Sequence, residues 1–419
     1  MSTPNPRLPV HVVYGGANLF KSDTPAKLGT LALRSLKTYA ADADEFAAAM
    51  GLEESKKLSH AIYKKTVDKL EREAVEDFRI DFEDGYGFRR DEEEDADAVK
   101  ASNELARAFL SKTITPFSGF RIKSFAPETH ARGVRTLNIF LENFFKKTKS
   151  RLPENFVVTL PKISDPKEVA ELARRLARFE SDNRLAPLSI RIEIMIETPR
   201  SVVDEKGRIA IASLVEAGAG RCTSAHFGAY DYTSALGISA AHQHLRHEAC
   251  NFARQMMLIT LAPLGIRLVD SVTTKMPVPM HKDAKLTDDQ KSENRFSVHS
   301  GWREHFENIT ASMSNGFYQS WDLHPHQLVA RYAAVYAFFL RSRDADAARL
   351  HGFVEKATQA NLTGNTFDDA ASANGLMNFF RLGLDCRAFS AAEIKKATSL
   401  SAGEIRSLSF AELTDRVQY

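Results

Sequence analysis

The sequence has little of what marks several common classes of protein. Its 419 residues include three cysteines, Cys222, Cys250 and Cys386, an odd number without the close spacing of a zinc site. Cysteines this few and this far apart predict a reducing, cytoplasmic location. No run of eighteen apolar residues is available to span a bilayer, and the first residues lack the apolar stretch of a signal peptide, so no membrane association is expected.

Strong charge of either sign is also lacking. The formal net charge is +2, and no basic stripe is interleaved with aromatic residues, so nucleic acid is not an expected partner. With 43% hydrophobic and 26% charged residues, the composition is that of an ordinary globular protein. No strong electrostatic partner is therefore implied.

The most informative stretch present is Ile190–Ile196, in which isoleucine falls on every second residue. This period of two predicts a strand with one apolar face. The other face carries two acids, Glu193 and Glu197, which are costly to bury unless they are paired or bound to a cation. Pro199 cannot donate to a sheet, so the strand ends just after Glu197. At this point a salt bridge and a catalytic role for Glu197 are both open.

The chain alternates between strands and helices along most of its length. The predicted strands are 11–16, 78–84, 119–125, 156–162, 190–197, 221–231, 265–272 and 318–324, and helical patterns cover 24–77, 91–110, 128–148, 165–180, 205–217, 251–262, 302–314 and 325–343. Because parallel strands need such crossovers, this alternation predicts a (β/α)8 TIM barrel over residues 1–343. The alternative is an open doubly wound sheet. Residues 273–300 read as a loop or lid, and 344–419 as a C-terminal helical extension.

Charged residues collect at the C-terminal ends of these strands, which meet at one mouth in a barrel. The candidates there are Tyr14, Gly15, Glu83, Asp84, Arg121, Lys123, Lys162, Glu197, Asp231, Asp270 and His324. Carboxylate ligands without clustered cysteine or histidine favour Mg²⁺ or Mn²⁺ over zinc. Arg121 offers the planar fork that grips a carboxylate at two points. A rival metal site at His242, His244 and His247 matches no standard spacing.

Six segments, taken in order, resemble the citrate lyase beta subunit-like branch of the HpcH/HpaI aldolase superfamily. They are Asp81-Phe-Glu-Asp84, Phe120-Arg-Ile-Lys123, Leu160-Pro-Lys-Ile163, Ile196-Glu-Thr198, Phe227-Gly-Ala-Tyr-Asp231 with Leu236-Gly237, and Trp321-Asp-Leu-His-Pro-His-Gln327. Each motif is short, but together they follow the order of the family from about residue 78 to 330.

The resemblance implies a Mg²⁺-dependent (β/α)8 lyase that cleaves carbon–carbon bonds through a metal-stabilised enolate, often in a citryl- or malyl-CoA thioester. Glu197 and Asp231 would hold the metal ion, and Glu83 and Asp84 would hold its waters. Arg121 would grip the carboxylate of the 2-oxo acid. A cation bound to both oxygens of such an acid stabilises the charge formed on cleavage.

Further contacts and the assembly follow from the same expectation. Tyr14, Gly15, Lys123 and Lys162 share the mouth and are predicted to contact the substrate. By analogy with the family, the chain is expected to form a homo-oligomer, a trimer or a multiple of one.

Two departures from the family leave the substrate open. The segment Tyr14–Phe20 replaces the usual Phe-Val-Pro-Gly, and Arg89-Arg-Asp-Glu92 replaces the usual residues after the Glu-Asp pair. Whether CoA carries the substrate is therefore undecided. Malate-synthase-like condensation, thioester hydrolysis and a non-catalytic binding protein remain alternatives.

Overall fold

Eight parallel strands close into a barrel in a computed structural model, which describes residues 7–52, 55–355, 361–363, 366–368 and 370–407. The barrel strands are β1 (His11–Gly16), β2 (Asp77–Asp81), β3 (Phe117–Arg121), β4 (Phe156–Leu160), β5 (Arg191–Ile196), β6 (Cys222–Phe227), β7 (Arg267–Val272) and β8 (Gln319–Asp322). The barrel closes because β1 pairs in parallel with both β2 and β8. The predicted TIM barrel is thus confirmed, and the open sheet is wrong.

Helices surround the barrel in chain order. They are α1 (Thr24–Tyr39), α2 (Ala43–Met50), α3 (Lys56–Glu73), α4 (Asp91–Leu110), α5 (His130–Thr148), α6 (Pro166–Asp182), α7 (Pro199–Val202), α8 (Ile211–Ala217), α9 (Ala229–Ala235), α10 (Glu248–Leu261), α11 (Asp288–Ser314) and α12 (Gln327–Glu355). The single helical segment predicted over 24–77 is three helices. The Asp42 side chain caps the first turn of α2, and Gly51 ends α2 in the left-handed conformation.

The isoleucines of β5 face outward. Ile192, Ile194 and Ile196 are fully buried in the large apolar cluster that includes Leu172 of α6 and Leu214 of α8. Met195 faces the other way, into the barrel, where it joins a small cluster with Val12, Tyr14, Val269, Val272 and Trp321. The alternate residues of β5, Glu193 among them, therefore belong to the inside of the barrel.

The loop or lid predicted over 273–300 is only partly correct. Residues 273–287 lie outside helices and strands, but α11 begins at Asp288, where Thr287 and Gln290 form a capping box. The helix has no clean apolar period because polar residues such as Asn294 and His305 are buried on it. Its Gly301 fits closely against Pro277, since a Cβ there would lie 2.7 Å from the proline Cα.

The C-terminal region packs on the outside of the barrel. The helix predicted to end near Arg343 continues to Glu355, and a short antiparallel pair follows, β9 (Asn361–Thr363) with β10 (Thr366–Asp368). Short helices were expected beyond this point, and the structure has α13 (Ala370–Asp385), α14 (Ala391–Thr398) and α15 (Ala402–Ser407). Phe339 of α12 packs against Phe379 and Phe389, with ring centroids 5.2 and 5.9 Å apart. Within the described ranges, no helix is both long and apolar enough to cross a membrane.

Candidate active site

Glu197 is an almost fully buried acid at the barrel mouth. It follows the last residue of β5, is 2% exposed, and accepts a hydrogen bond of 2.6 Å from the backbone amide of Lys162 at Oε1. None of the described residues donates a hydrogen bond to its Oε2. A Cβ at position 228 would lie 2.4 Å from this oxygen, so only glycine at that position leaves room for the carboxylate. Glu197 is thus buried with few compensating contacts.

Asp231 reaches the site from a helix rather than from a strand. The strand predicted over 221–231 ends at Phe227, and Asp231 lies in the first turn of α9. Its carboxylate lies 3.7 Å from Nζ of Lys162 and is 43% exposed. The structure thereby brings together the two residues predicted to bind the metal ion, although the position predicted for Asp231 within the strand is wrong.

Glu83 and Asp84 lie in the loop after β2, because the strand ends at Asp81. Both contact the ammonium of Lys162, with 2.7 Å from Nζ to Oδ1 of Asp84. The backbone at Lys162 has φ of +51°, an uncommon conformation for a residue with a side chain, costing about 1–3 kcal/mol. This conformation lets Lys162 present its amide to Glu197 and its ammonium to the other acids.

Arg121 is held at the end of β3 by an acid without a predicted role. Its Nε and Nη2 donate to the two carboxylate oxygens of Asp81 at 2.7 and 2.6 Å. Nη1 lies 3.0 Å from Oε2 of Glu83, and the guanidinium carbon lies 4.9 Å from the ring centre of Tyr14. The paired grip expected for a substrate carboxylate is therefore made with Asp81, and Nη1 is the nitrogen directed toward the other acids.

Asp81 also fixes the loop that carries two of the site acids. Its carboxylate accepts hydrogen bonds from the backbone amides of Glu83 and Gly85 at 3.0 and 2.8 Å. A Cβ at position 85 would lie 2.6 Å from the same carboxylate. Asp81 stands first in the Asp81–Asp84 motif, and this position was the signal in the sequence for its role.

The electrostatics of the site follow from an excess of acids. Two cations, Arg121 and Lys162, contact four of the five acids, Asp81, Glu83, Asp84 and Asp231, whereas Glu197 contacts only the backbone amide of Lys162.

This imbalance changes the acidity of several groups. Burial raises the pKa of Glu197 to about 8, with further contributions from Asp231 and Glu83. Burial also raises the pKa of Glu83 to about 7, against the opposing charge of Arg121. The pKa of Asp231 is raised by burial as well. For Asp84, burial is outweighed by the hydrogen bond with Glu83 and by the charges of Arg121 and Lys162, so its pKa is lowered.

The donor set is suited to a hard divalent cation. Glu197 and Asp231 offer carboxylate oxygens. Burial, and after it the charge of nearby acids, raises the pKa of both groups, and a bound cation would offset these effects by stabilising the charged carboxylates. In the present side-chain arrangement, the described part of the chain contains no group of three histidine, cysteine or acidic residues placed to hold a metal ion. Among the described residues, His242, His244 and His247 form no such group either. The ring of His247 instead accepts a hydrogen bond from the amide of Ala249 as the cap of α10.

Most of these groups line a cavity of about 260 Å³, called here the mouth cavity, although Glu83 and Lys162 are not among its wall residues. Its walls include the predicted residues Tyr14, Asp84, Arg121, Glu197 and Asp231, together with Gly228, Tyr230, Ser271, Trp321 and Leu323, which had no predicted role. Trp321 was detectable as the first residue of its motif. Tyr230 and Ser271 were not, because nothing in the local pattern shows which way they face.

Several predicted residues point elsewhere. Lys123 lies 2.9 Å from Oε2 of Glu94 and donates to the carbonyl of Phe82 at 2.6 Å, and it does not line the mouth cavity. Asp270 faces the outer helices, where Arg254 lies 3.1 Å away. Asp270 is therefore not a mouth residue, because the alternation of β7 turns it outward. Gly15 and His324 line a neighbouring cavity.

Comparison with known proteins gives one family and a set of similar folds. Residues 3–413 match the model of a family described as a domain of unknown function, DUF6986. No curated protein matches the sequence. A crystal structure of a citrate lyase from Burkholderia xenovorans LB400 has a TM-score of 0.57 and 17% identity, covering 93% of this chain and 96% of that chain.

Two other solved structures are less similar. A malate synthase from Haloferax volcanii in complex with magnesium and glyoxylate has a TM-score of 0.47 and 14% identity, covering 96% of this chain and 98% of that chain. RipC from Yersinia pestis has a TM-score of 0.40 and 17% identity, covering 63% and 90% of the two chains. At these identities the citrate lyase likeness supports the fold alone, and the two lower scores carry no argument.

Proposed function

The chain belongs to the DUF6986 family, whose function is unknown, and we propose that it is a Mg²⁺- or Mn²⁺-dependent carbon–carbon lyase or aldolase whose substrate yields a 2-oxo acid. The observation that carries the proposal is the group of acids at the barrel mouth around Glu197. This residue is 2% exposed, its pKa is raised to about 8, and Asp231 lies in the wall of the same cavity. Perturbed acids that converge in a cavity are typical of functional sites.

Each site residue has a role in this proposal. Glu197 and Asp231 would hold the metal ion, and Glu83 and Asp84 would orient water bound to it. Nη1 of Arg121 would meet the substrate carboxylate, since its other two nitrogens are bound to Asp81. The bound cation would supply positive charge at the 2-oxo group where negative charge develops on cleavage.

Lys162 is positioned to neutralise negative charge, and Glu83 is positioned to transfer a proton. The ammonium of Lys162 contacts both acids of the loop after β2, so it can neutralise one of them or a substrate carboxylate. Glu83, with a pKa raised to about 7, exchanges a proton near neutral pH, as a general acid or base requires. We assign it the proton transfer that accompanies bond cleavage.

The similar fold of a citrate lyase supports the reaction class by analogy only. The malate-synthase-like condensation and the thioester hydrolysis would use the same metal site, so the reaction itself must separate them. CoA as the carrier of the substrate belongs to the same proposal, as do a cytoplasmic location and a homo-oligomer, a trimer or a multiple of one, which light scattering would test.

The decisive experiment is a panel of pyruvate, oxaloacetate, malyl-CoA and citryl-CoA, each tested with Mg²⁺ and with EDTA. We expect Mg²⁺-dependent turnover of at least one member of this panel, abolished in Glu197→Gln, with pyruvate assayed in the condensation direction in the presence of an aldehyde acceptor. Turnover that is unaffected by EDTA, or that persists in Glu197→Gln, would refute the assignment. Binding of Mn²⁺, followed by electron paramagnetic resonance, separates loss of the metal site from loss of catalysis.

A further inference from the structure

A second cavity, the side pocket, lies next to the mouth cavity. It has a volume of about 180 Å³ and is built from the end of β1, the first turns of α1 and the residues after β8. Its walls are formed by Val13, Tyr14, Gly15, Gly16, Leu19, Phe20, Thr24, Leu28, Phe78, Leu323, His324, Pro325 and Leu328. Tyr14 and Leu323 line the mouth cavity as well, so the two cavities share a wall.

The walls of the side pocket are almost entirely apolar. They contain no acid, lysine or arginine, and their one titratable histidine, His324, has its pKa lowered to about 4 by burial and by neighbouring His326. A charged group placed there would lose its hydration without a partner, whereas an apolar group would gain from leaving water. An engineered cavity of about 150 Å³ with similar walls binds benzene, so the volume suits a group of that size.

The pocket is formed by the segment in which this chain departs from the family it resembles. Gly15 and Gly16 lie within Tyr14–Phe20. A Cβ at Gly15 would lie 2.7 Å from the ring of Phe78, another wall residue, and one at Gly16 would lie 2.6 Å from the carbonyl oxygen of Gly85. Larger residues at these positions would press on the pocket or on the loop after β2, so the glycines keep the space open.

We propose that the side pocket binds an apolar substituent of the substrate, whose carboxylate end lies in the mouth cavity. The preferred 2-oxo acid then carries an aliphatic or aromatic group no larger than about a benzene ring. The inference rests on the proposed function, because it needs the acid to be held at the metal site. It adds a substrate class, since polar acids such as oxaloacetate would not fill the pocket.

The test measures the Kd of a homologous series by calorimetry at saturating Mg²⁺. The series is pyruvate, 2-oxobutyrate, 2-oxopentanoate and 4-methyl-2-oxopentanoate, with oxaloacetate as the polar member. We expect Kd to fall by about fourfold for each added carbon that enters the pocket. Equal Kd values along the series would overturn the inference and leave the metal site intact. If no 2-oxo acid binds with Mg²⁺, the proposed function fails and the inference fails with it.

A pair of matched variants locates the effect. Leu28 and Leu33 are partly buried residues of the same helix, but only Leu28 lines the side pocket, while Leu33 lines a separate cavity. We expect Leu28→Phe to remove the gain with chain length while the Kd of pyruvate stays within about twofold, and Leu33→Phe to behave as the parent. A gain that survives Leu28→Phe in a folded protein would overturn the proposal.

A surface variant provides an independent test in case Leu28→Phe does not fold. Leu19 lies in the wall of the pocket and is 74% exposed, so Leu19→Asn should not affect folding. We expect it to weaken binding of 4-methyl-2-oxopentanoate a few-fold and to leave pyruvate unchanged. Melting temperatures of all three variants establish that they are folded. Unchanged binding of the branched acid in Leu19→Asn would contradict the placement of the substituent.

Discussion

Glu193 and Glu197 belong to the same strand face, four residues apart, yet one lies in the middle of the barrel and the other at its mouth. Glu193 accepts two hydrogen bonds from Arg79, at 3.0 and 2.9 Å, and others from Thr159 and Ser224 at 2.8 and 2.6 Å. Glu197 accepts one, from the amide of Lys162. Both carboxylates are buried, so the difference between them is the number of their partners.

The two environments shift the pKa values of the two acids in opposite directions. The charge of Arg79 and the contact with His226 outweigh burial and hold the pKa of Glu193 well below its usual range. Burial raises the pKa of Glu197 to about 8. A buried acid with a full set of partners stabilises one fold, whereas a buried acid short of partners is prepared to take a cation or a proton. The barrel interior therefore carries a paired, structural acid, and the mouth carries the acid to which the proposed function assigns the metal ion.

The largest effect expected from this contrast is on the free energy of unfolding. We expect Glu193→Gln to lower the free energy of unfolding by about 3–5 kcal/mol, because Arg79 would lose a buried charged partner. Glu197→Gln, in metal-free protein near neutral pH, should be at least as stable as the parent. Urea unfolding of both variants in EDTA measures the difference. Equal losses would mean that Glu197 is also a structural ion-pair partner.

A smaller effect is expected on catalysis at Arg121. The donors of an ammonium all lie on one nitrogen, so a lysine cannot reproduce the paired, in-plane contact with Asp81 and reach the acids of the mouth as the three separate nitrogens of Arg121 do. Arg121→Lys should therefore lower kcat/KM for the 2-oxo acid substrate by about ten- to a thousand-fold, while the retained charge keeps the protein folded. The matched control is Arg135→Lys, an exposed arginine on α5. Unchanged kinetics in folded Arg121→Lys would remove Arg121 from the site.

Metal binding should raise the free energy of unfolding by less than the loss expected in Glu193→Gln. At a free Mg²⁺ or Mn²⁺ concentration of 100 times Kd, the expected gain is about 2.7 kcal/mol, a rise of a few degrees in Tm. EDTA should reverse the gain, and Glu197→Gln or Asp231→Asn should each abolish it, whereas the exposed-acid control Asp182→Asn should retain it. A gain of the same size in both site variants would place the metal ion elsewhere.

The smallest effect, taken over a single pH unit, is the pH dependence of the stability of metal-free protein. Because the pKa of Glu197 is about 8 when folded and near 4.5 when unfolded, the folded state binds more protons between these values. Stability is therefore full below about pH 4.5 for this group and falls as pH rises toward 8, by at most about 1.4 kcal/mol per pH unit. Glu197→Gln should flatten the slope of Tm against pH over this range. An identical slope in parent and variant would contradict the raised pKa.

Local patterns were enough for the elements but not for their ends. The predicted strands that carry Glu83, Lys123, Lys162 and Asp231 all run two to four residues too far. The apolar pattern continues past the point where the neighbouring strand stops pairing, and only the neighbour decides where the ladder ends. For the same reason Asp231 was placed on a strand, although it lies in the first turn of α9.

Other sequence predictions were wrong or missing because they depend on contacts that a local pattern does not show. The pattern over 288–300 predicts a loop rather than the first half of α11, because Asn294 is buried on that half and breaks the apolar period. Asp270 was placed at the mouth, although the alternation of β7 points it to Arg254 outside the barrel. Asp81 had no predicted role, because the partner that defines it, Arg121, is 40 residues away.

The sequence by itself determined the eight strand–helix repeats, the apolar face of β5 and the presence of two acids on its other face. It also determined that such acids must be paired or must bind a cation, because the cost of burying a charge depends only on chemistry. The closed barrel decides which of the two acids is paired with a charged side chain and which is left without such a partner. Its register places Arg79, 114 residues before Glu193, against that acid, and leaves Glu197 with a single amide and an acidic neighbourhood. Partners this distant in the chain are set by tertiary structure, and they leave one of two similar residues fully paired and the other with a single hydrogen bond.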